Sequence, residues 1–151
     1  MRIILIEDDH LQEEPILNQL RAGLAKHGEV RIRKYQTASD FEAVLEDIAG
    51  WNPDVFVIDI MLPLNSPDEL SDMSQEEIGE LEETSDGGFV CLQMILEEER
   101  LASTAVFLFS VLEEGELKDE LQGLPANVRF MRKESDLRGL IAEIESALQL
   151  S

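Results

Sequence analysis

Apolar, β-branched runs recur along the chain, and stretches with helical spacing separate them. The predicted strands are Ile3–Ile6, Val30–Tyr35, Val55–Ile58, Thr104–Phe109 and Val128–Met131. Between them, apolar residues recur every three or four positions, which predicts helices. These helices are expected to begin near Pro15, Ser39, Gly88, Leu112 and either Ser135 or Asp136. Such alternation predicts an α/β fold, a doubly wound parallel sheet with helices on both faces.

The strands differ in how apolar they are. Ile3–Ile6 and Val55–Ile58 are apolar throughout, which is typical of strands in the interior of a parallel sheet. Val30–Tyr35 alternates apolar and basic residues, which favours a place nearer the sheet edge.

The 151 residues, of which 44% are hydrophobic, suit one domain with one core.

The charge of the chain restricts its partners. Thirty-three acidic residues against 12 basic ones give a net charge of −21, which disfavours direct binding to nucleic acid or anionic membranes. Divalent cations and basic protein surfaces are the natural partners of such a chain. Ile3–Ile6 is too short to span a membrane, and no signal peptide is visible. The single cysteine, Cys91, fits a reduced, cytoplasmic location.

One segment interrupts the alternation of strands and helices. Residues 64–85 separate the third strand from the third helix, and they contain eight acidic residues but no lysine or arginine. A loop of this length is unusual in a compact domain unless it is functional or disordered. We expect an acidic insertion with a short amphipathic helix that Ser74 caps. A neutral surface loop is the alternative.

Acidic residues follow two of the apolar strands. Glu7, Asp8 and Asp9 come after the first strand, and Asp59 comes after the third. These strands are neighbours in a doubly wound sheet, so their carboxyl ends meet. Clustered carboxylates repel one another, and a hard cation such as Mg²⁺ relieves that repulsion. The alternative is that these are solvated loop acids, which are common in so acidic a chain.

Two more strand exits carry polar groups. Ser110 ends the fourth strand with a hydroxyl group, and Lys133 follows the fifth with an ammonium group. A hydroxyl and a cation beside a carboxylate cluster suit phosphoryl transfer, in which positive charge offsets the phosphoryl oxygens and a carboxylate attacks in line.

Five stretches, Ile3–Asp8, Pro53–Pro63, Asp86–Gly88, Ser110 and Phe130–Lys133, follow one another along nearly the whole chain. Together they resemble the receiver domain of two-component response regulators. The resemblance implies a flavodoxin-like three-layer sandwich with a five-stranded parallel sheet in the order 2-1-3-4-5. It also implies a single domain over residues 1–151, with the acidic segment 64–85 as an insertion.

The resemblance assigns roles to individual residues. It implies that Asp59 accepts the phosphoryl group and that Glu7 and Asp8 hold Mg²⁺ together with the Asp59 carboxylate and the Met61 backbone carbonyl. Ser110 and Lys133 would bind phosphoryl oxygens. Ser110 would also act in the conformational switch with Phe130, although Phe130 can equally be an ordinary strand side chain. Asp9 would lie just outside the metal ligands.

Several positions depart from the family pattern or compete with it. Asp54 is a rival phosphoryl acceptor by composition, but it precedes its strand and therefore lies at the wrong end of the sheet. Val111 follows Ser110 where a smaller residue is common, and Glu134 follows Lys133 where proline is frequent. His10 lies in a stretch that is about one helical turn longer than usual, and an exposed loop histidine is its simplest interpretation.

The resemblance predicts a stand-alone cytoplasmic response regulator, not an enzyme beyond its own Mg²⁺-dependent phosphorylation and dephosphorylation. Its partners would be a sensor histidine kinase or phosphotransfer protein and a downstream protein effector, and it would be a monomer or weak homodimer. One alternative is a pseudo-receiver that binds partners without phosphorylation. A haloacid-dehalogenase-like hydrolase would need an aspartate at position 61, where this chain has Met61. The insertion could also mimic nucleic acid for a basic partner.

Overall fold

A computed structural model of the protein describes residues 1–7, 10–59, 87–110, 123–132 and 138–149, with the backbone alone for residues 10–13, 110 and 132. The predicted insertion (64–85), the predicted helix 112–121 and the caps at Ser135 or Asp136 lie outside these residues. The strands are β1 (Arg2–Ile6), β2 (Arg31–Tyr35), β3 (Val55–Asp59), β4 (Ala105–Ser110) and β5 (Val128–Arg132). The helices are α1 (His10–Leu24), α2 (Ala38–Ala43), α3 (Leu45–Trp51), α4 (Gly87–Glu97) and α5 (Arg138–Ala147), and a 3-10 turn covers Ala25–His27.

The five strands form one parallel sheet in the order β2-β1-β3-β4-β5. This confirms the predicted α/β fold and its strand order. The strands β1 and β3 are interior and almost wholly buried, while β2 lies at the edge with only Ile32 and Tyr35 partly covered. The difference follows from sequence, since a strand enclosed on both faces needs apolar residues at every position.

Helices cover both faces of the sheet. On one face, side chains of α2, α3 and α4 pack against alternate strand residues such as Ile6, Phe56 and Leu108. On the other face, α1 and α5 pack against the intervening residues, including Leu5 and Val57. Successive side chains of each strand therefore enter two different cores, one on each side of a three-layer sandwich.

Two helix boundaries differ from the sequence prediction. The first helix begins at His10, five residues before the predicted start, so Pro15 lies inside it. Proline lacks the N–H that would bond the carbonyl of Leu11, and one missing bond is tolerated when the apolar face packs well. The second helix is capped by Thr37, not Ser39, because Thr37 Oγ1 accepts a hydrogen bond from the Asp40 N–H at 3.1 Å.

The carboxyl ends of α1 and α5 are joined by an ionic contact. His27 Nε2 lies 2.7 Å from Glu145 Oε2, and Lys26 Nζ lies 3.1 Å from the same oxygen. The His27 side chain is only 8% exposed, whereas that of Lys26 is 63% exposed. The hydrogen bonds from His27 and then Lys26 hold the pKa of the Glu145 carboxyl below its ordinary value. Stability therefore depends on the ionisation of Glu145.

We expect Glu145→Gln to lower the free energy of unfolding at neutral pH, with the difference from wild type shrinking as the pH falls below about 4.3. The sign follows because a carboxyl with a depressed pKa stabilises the fold above its unfolded-state pKa and loses that contribution on protonation. Urea unfolding across this pH range measures the effect. Glu143→Gln, which alters an exposed pair with Arg129, is the matched control. A difference that stays constant with pH would contradict the assignment.

Candidate functional site at the carboxyl edge of the sheet

Two carboxylates lie side by side at the carboxyl edge of the sheet. Asp59 is the last residue of β3, and Glu7 follows β1 directly. The pairing of Ile6 with Ile58 places Glu7 next to Asp59 on neighbouring strands, about 4.8 Å apart along the hydrogen-bonding direction. The Glu7 N–H donates to the Tyr35 carbonyl at 3.0 Å, so the β1–β2 ladder continues to Glu7 and fixes its backbone.

Both carboxylates are enclosed by the protein. Glu7 is 2% exposed and Asp59 is 5% exposed, and Thr37 is the only other polar residue buried to this degree among those described. Side chains alternate along a strand, so Glu7 and Asp59 share the face of Leu5 and Val57, above the core that α1 and α5 cover. Buried acidic residues are rare unless they are paired or serve a function. Both lie at the exits of interior strands.

The predicted metal site is only partly within the described residues. Two carboxylates in so little solvent repel each other when both are ionised, and a divalent cation with oxygen preference relieves that cost. Glu7 and Asp59 therefore fit a magnesium site. The other predicted ligands, Asp8 and Met61, lie outside the described residues, as does Asp9, and His10 is described only by its backbone at the start of α1.

The exits of β4 and β5 border the same edge. Asp59 pairs with Phe109, so Ser110 lies one position farther along β4, opposite Arg132. Its hydroxyl group lies outside the described atoms, and Lys133 lies outside the described residues, directly after Arg132. Their roles as phosphoryl ligands remain predictions, although the register brings Ser110 to the edge that holds Asp59.

Phe130 lies in β5 and is partly buried, packed against the core that α2, α3 and α4 cover. It pairs with Leu108 in β4, two residues before Ser110. This places it one strand away from the predicted hydroxyl partner. The structure thus gives Phe130 a core-packing role, and its role in switching stays a prediction.

The rival acceptor, Asp54, lies at the opposite edge of the sheet. Its Oδ2 accepts a hydrogen bond from the Arg2 N–H at 2.8 Å, and its own N–H donates to the Arg2 carbonyl. Asp54 is exposed at the amino end of β3 and binds the amino end of β1. It is therefore remote from Glu7, and its rejection as an acceptor is supported.

Cys91 lies in α4 and is fully buried. Burial raises the pKa of its thiol to about 12. A thiol in this state is a weak nucleophile, so Cys91 is a core residue and not part of the site.

Several solved structures that share this architecture are receiver domains. One is the signal receiver domain of a two-component histidine kinase from Clostridium thermocellum, with 15% identity, a TM-score of 0.70, and coverage of 99% of this chain and 98% of that one. The DrrB receiver domain in its BeF3-activated form has 25% identity, a TM-score of 0.59 and coverage of 98% and 97%. The protein has the receiver-domain fold. No protein-family model and no curated protein matches its sequence.

A third structure with the receiver fold bears on the metal site. The receiver domain of a sensor histidine kinase from Pseudomonas aeruginosa PAO1 has a magnesium ion coordinated in its active-site cleft. It is 12% identical, with a TM-score of 0.69, and the match covers 98% of this chain and 97% of that one.

Among the described helices of the present protein, none is long and apolar enough to cross a membrane.

Proposed function

We propose that this protein is a cytoplasmic response regulator that accepts a phosphoryl group on Asp59 from a histidine kinase or phosphotransfer protein. The observation that supports this most directly is the pair of buried carboxylates, Glu7 and Asp59, at adjacent strand exits of a receiver fold. The carboxyl edge of a doubly wound sheet is where such folds bind ligands.

The proposed reaction is an in-line displacement. A carboxylate oxygen of Asp59 attacks the phosphorus of a phosphohistidine, the P–N bond breaks, and the imidazole leaves with its electron pair and takes up a proton. An Mg²⁺ ion held by Glu7, Asp8, Asp59 and the Met61 carbonyl would offset the charge of the phosphoryl oxygens. Ser110 would donate a hydrogen bond to one of these oxygens and Lys133 would pair with another. Hydrolysis by water would return the free Asp59 carboxylate.

The phosphorylated state would signal through protein contact. A net charge of −21 disfavours direct contact with nucleic acid, which leaves a protein effector as the readout. In this proposal the new charge at Asp59 draws Ser110 toward the phosphoryl group and Phe130 changes its packing. The two states of the surface around β5 then bind the effector differently.

Intact-mass measurement after incubation with Mg²⁺ and acetyl phosphate tests the proposal. We expect the addition of one phosphoryl group, its absence when EDTA is present, and its loss on treatment with hydroxylamine, which cleaves acyl phosphates. An unmodified mass with acetyl phosphate and with phosphoramidate would contradict it. That result would favour the alternative, a pseudo-receiver that binds partners without phosphorylation.

The metal site can be tested separately from phosphorylation. We expect Mg²⁺ at ten times its dissociation constant to stabilise the fold by about 1.4 kcal/mol, because the ion binds only the folded state. Thermal unfolding with Mg²⁺ and with EDTA measures this shift. Glu7→Gln should remove most of it, whereas Glu14→Gln, at an exposed position of α1, should not. An equal shift in both variants would place the ion elsewhere.

A further inference from the structure

A cluster of two arginines and a tryptophan lies far from Asp59, beside the edge strand. It consists of Arg2, Arg33 and Trp51 and is called here the arginine–tryptophan cluster. The Arg33 guanidinium carbon lies over the Trp51 ring, 4.3 Å from its centroid, and that of Arg2 lies 5.9 Å from it. Arg2 Nη1 also donates a hydrogen bond to the Trp51 carbonyl at 2.8 Å. Two cations therefore share one aromatic ring.

The fold assembles this cluster from three elements. Arg33 lies on β2, the outermost strand of the described sheet, where it pairs with Ile4 of β1. Trp51 is the last residue of α3 and is partly buried. Stacking on the ring restricts the Arg33 side chain, and a guanidinium is a planar donor fork that suits a carboxylate.

Three other arginines of the described surface are paired with carboxylates. Arg31 pairs with Glu29, Arg100 with Glu46 and Glu98, and Arg129 with Glu143. Within the described ranges, Arg33 contacts Trp51 and forms no ion pair with a carboxylate. Arg21 of α1 is likewise exposed without an ion pair among the described residues, so the feature that sets Arg33 apart is its position over an aromatic ring.

We propose that the arginine–tryptophan cluster, with Arg31 beside it, is a docking site for an acidic segment of a partner protein. Charge complementarity carries the proposal. Arg31 and Arg33 lie two positions apart on β2 and therefore on one face of the strand, and Arg31 pairs with Arg2 of β1, whereas the net charge of the chain is −21. An acidic polypeptide is repelled by most of this protein, so this edge is the surface it would favour. The net charge repels nucleic acid as well. Because its phosphate backbone would extend beyond so small a basic patch, nucleic acid is a poorer fit than a short acidic segment of a protein.

Protection of a sheet edge is the competing explanation for basic residues on β2, because charged side chains prevent edge strands from pairing with other chains. That explanation accounts for exposed arginine and lysine side chains. It does not require a tryptophan beneath one of them, nor a second arginine tethered to the carbonyl of that same tryptophan. The stacking of the Arg33 guanidinium on the Trp51 ring is what distinguishes a binding site from a protected edge.

Trp51 is the only tryptophan of the chain, so its fluorescence reports on this cluster alone. The probe is a synthetic peptide rich in glutamate that lacks aromatic and basic residues. We expect a saturable change in Trp51 emission that requires a higher peptide concentration as the salt concentration rises. Arg33→Gln should weaken binding by roughly tenfold, the usual effect of losing a charge-assisted hydrogen bond. Arg21→Gln, which removes an exposed charge from α1, should leave the affinity unchanged.

Three results would overturn the proposal. They are no emission change at low salt, equal affinity of wild type and Arg33→Gln, or an equal response to a single-stranded oligonucleotide. Circular dichroism of each variant establishes whether it is folded. Should Arg33→Gln fail to fold, Arg33→Lys and Arg31→Gln take its place, because each retains the strand while weakening carboxylate binding. Phosphorylation of Asp59 is not needed for any of these measurements.

Discussion

Asp59→Asn is expected to abolish phosphoryl incorporation from acetyl phosphate, whereas Asp54→Asn leaves it at the wild-type level. The amide of asparagine has no anionic oxygen to attack phosphorus, so the reaction loses its nucleophile. Asp54 directly precedes β3, so it lies at the opposite edge of the sheet from Asp59, where it binds the Arg2 backbone. The two variants therefore remove the same chemical group from the two ends of one strand.

The intact mass reports the amount of the phosphoryl group, and the masses of the peptides after cleavage report its position. Asp59→Asn keeps the size of the side chain and removes one of two adjacent buried charges, so we expect it to fold at least as stably as wild type in EDTA. Loss of incorporation in a well-folded Asp59→Asn variant supports the acceptor assignment. Undiminished incorporation in that variant, or its loss in Asp54→Asn, would contradict it.

The strand order could be predicted because burial leaves a direct trace in sequence. Interior strands such as Val55–Ile58 are apolar at every position, and the edge strand places basic residues between apolar ones. Glu7 and Asp59 were identifiable for a related reason. A carboxylate directly after an apolar run must lie where that strand leaves the core, and parallel pairing brings such exits together.

Helix boundaries were predicted less well because several residues compete for the same role. Thr37, Ser39 and Asp40 all suit the start of a helix, and only the backbone geometry selects Thr37. Likewise, Pro15 suits a first turn, yet the helix extends back to His10. The structure also has a break at Val44 between α2 and α3, although the apolar residues Phe41, Val44, Leu45 and Ile48 keep helical spacing across it.

The arginine–tryptophan cluster could not be found from sequence. Arg33 belongs to a strand that the sequence predicts near the sheet edge, and Trp51 lies in a different segment, just before Asn52-Pro53. The two are 18 positions apart, and nothing in either segment indicates contact. Their approach depends on how α3 lies over the edge of the sheet, which is a property of tertiary packing. Binding sites made by such packing have no local pattern.

A second large effect is expected at the crossing of α1 and α5, where Gly23→Val should lower the free energy of unfolding by about 2 kcal/mol. A β-carbon at Gly23 would lie 3.1 Å from Cγ1 and 3.3 Å from Cγ2 of Ile141, and closer still to Cδ1. The contact with Cδ1 is too short for two carbon atoms and the other two are tight, so one helix must move or Ile141 must leave its rotamer. The gain in helix propensity over glycine is smaller than this cost.

Urea unfolding of a double-mutant cycle separates the clash from other effects. In an Ile141→Ala background, Gly23→Val should cost less than it does in wild type, with a coupling free energy of about 1–2 kcal/mol. Gly50→Val is the matched control, because nothing lies within 4 Å of a β-carbon at that position of α3. It should change stability by less than about 0.5 kcal/mol. If both glycine variants lose stability equally, an effect common to both helices and not contact with Ile141 determines the cost. If only Gly23→Val does, the glycine is there because the Ile141 side chain occupies the space that a larger residue would need. That close approach also brings His27 within reach of Glu145.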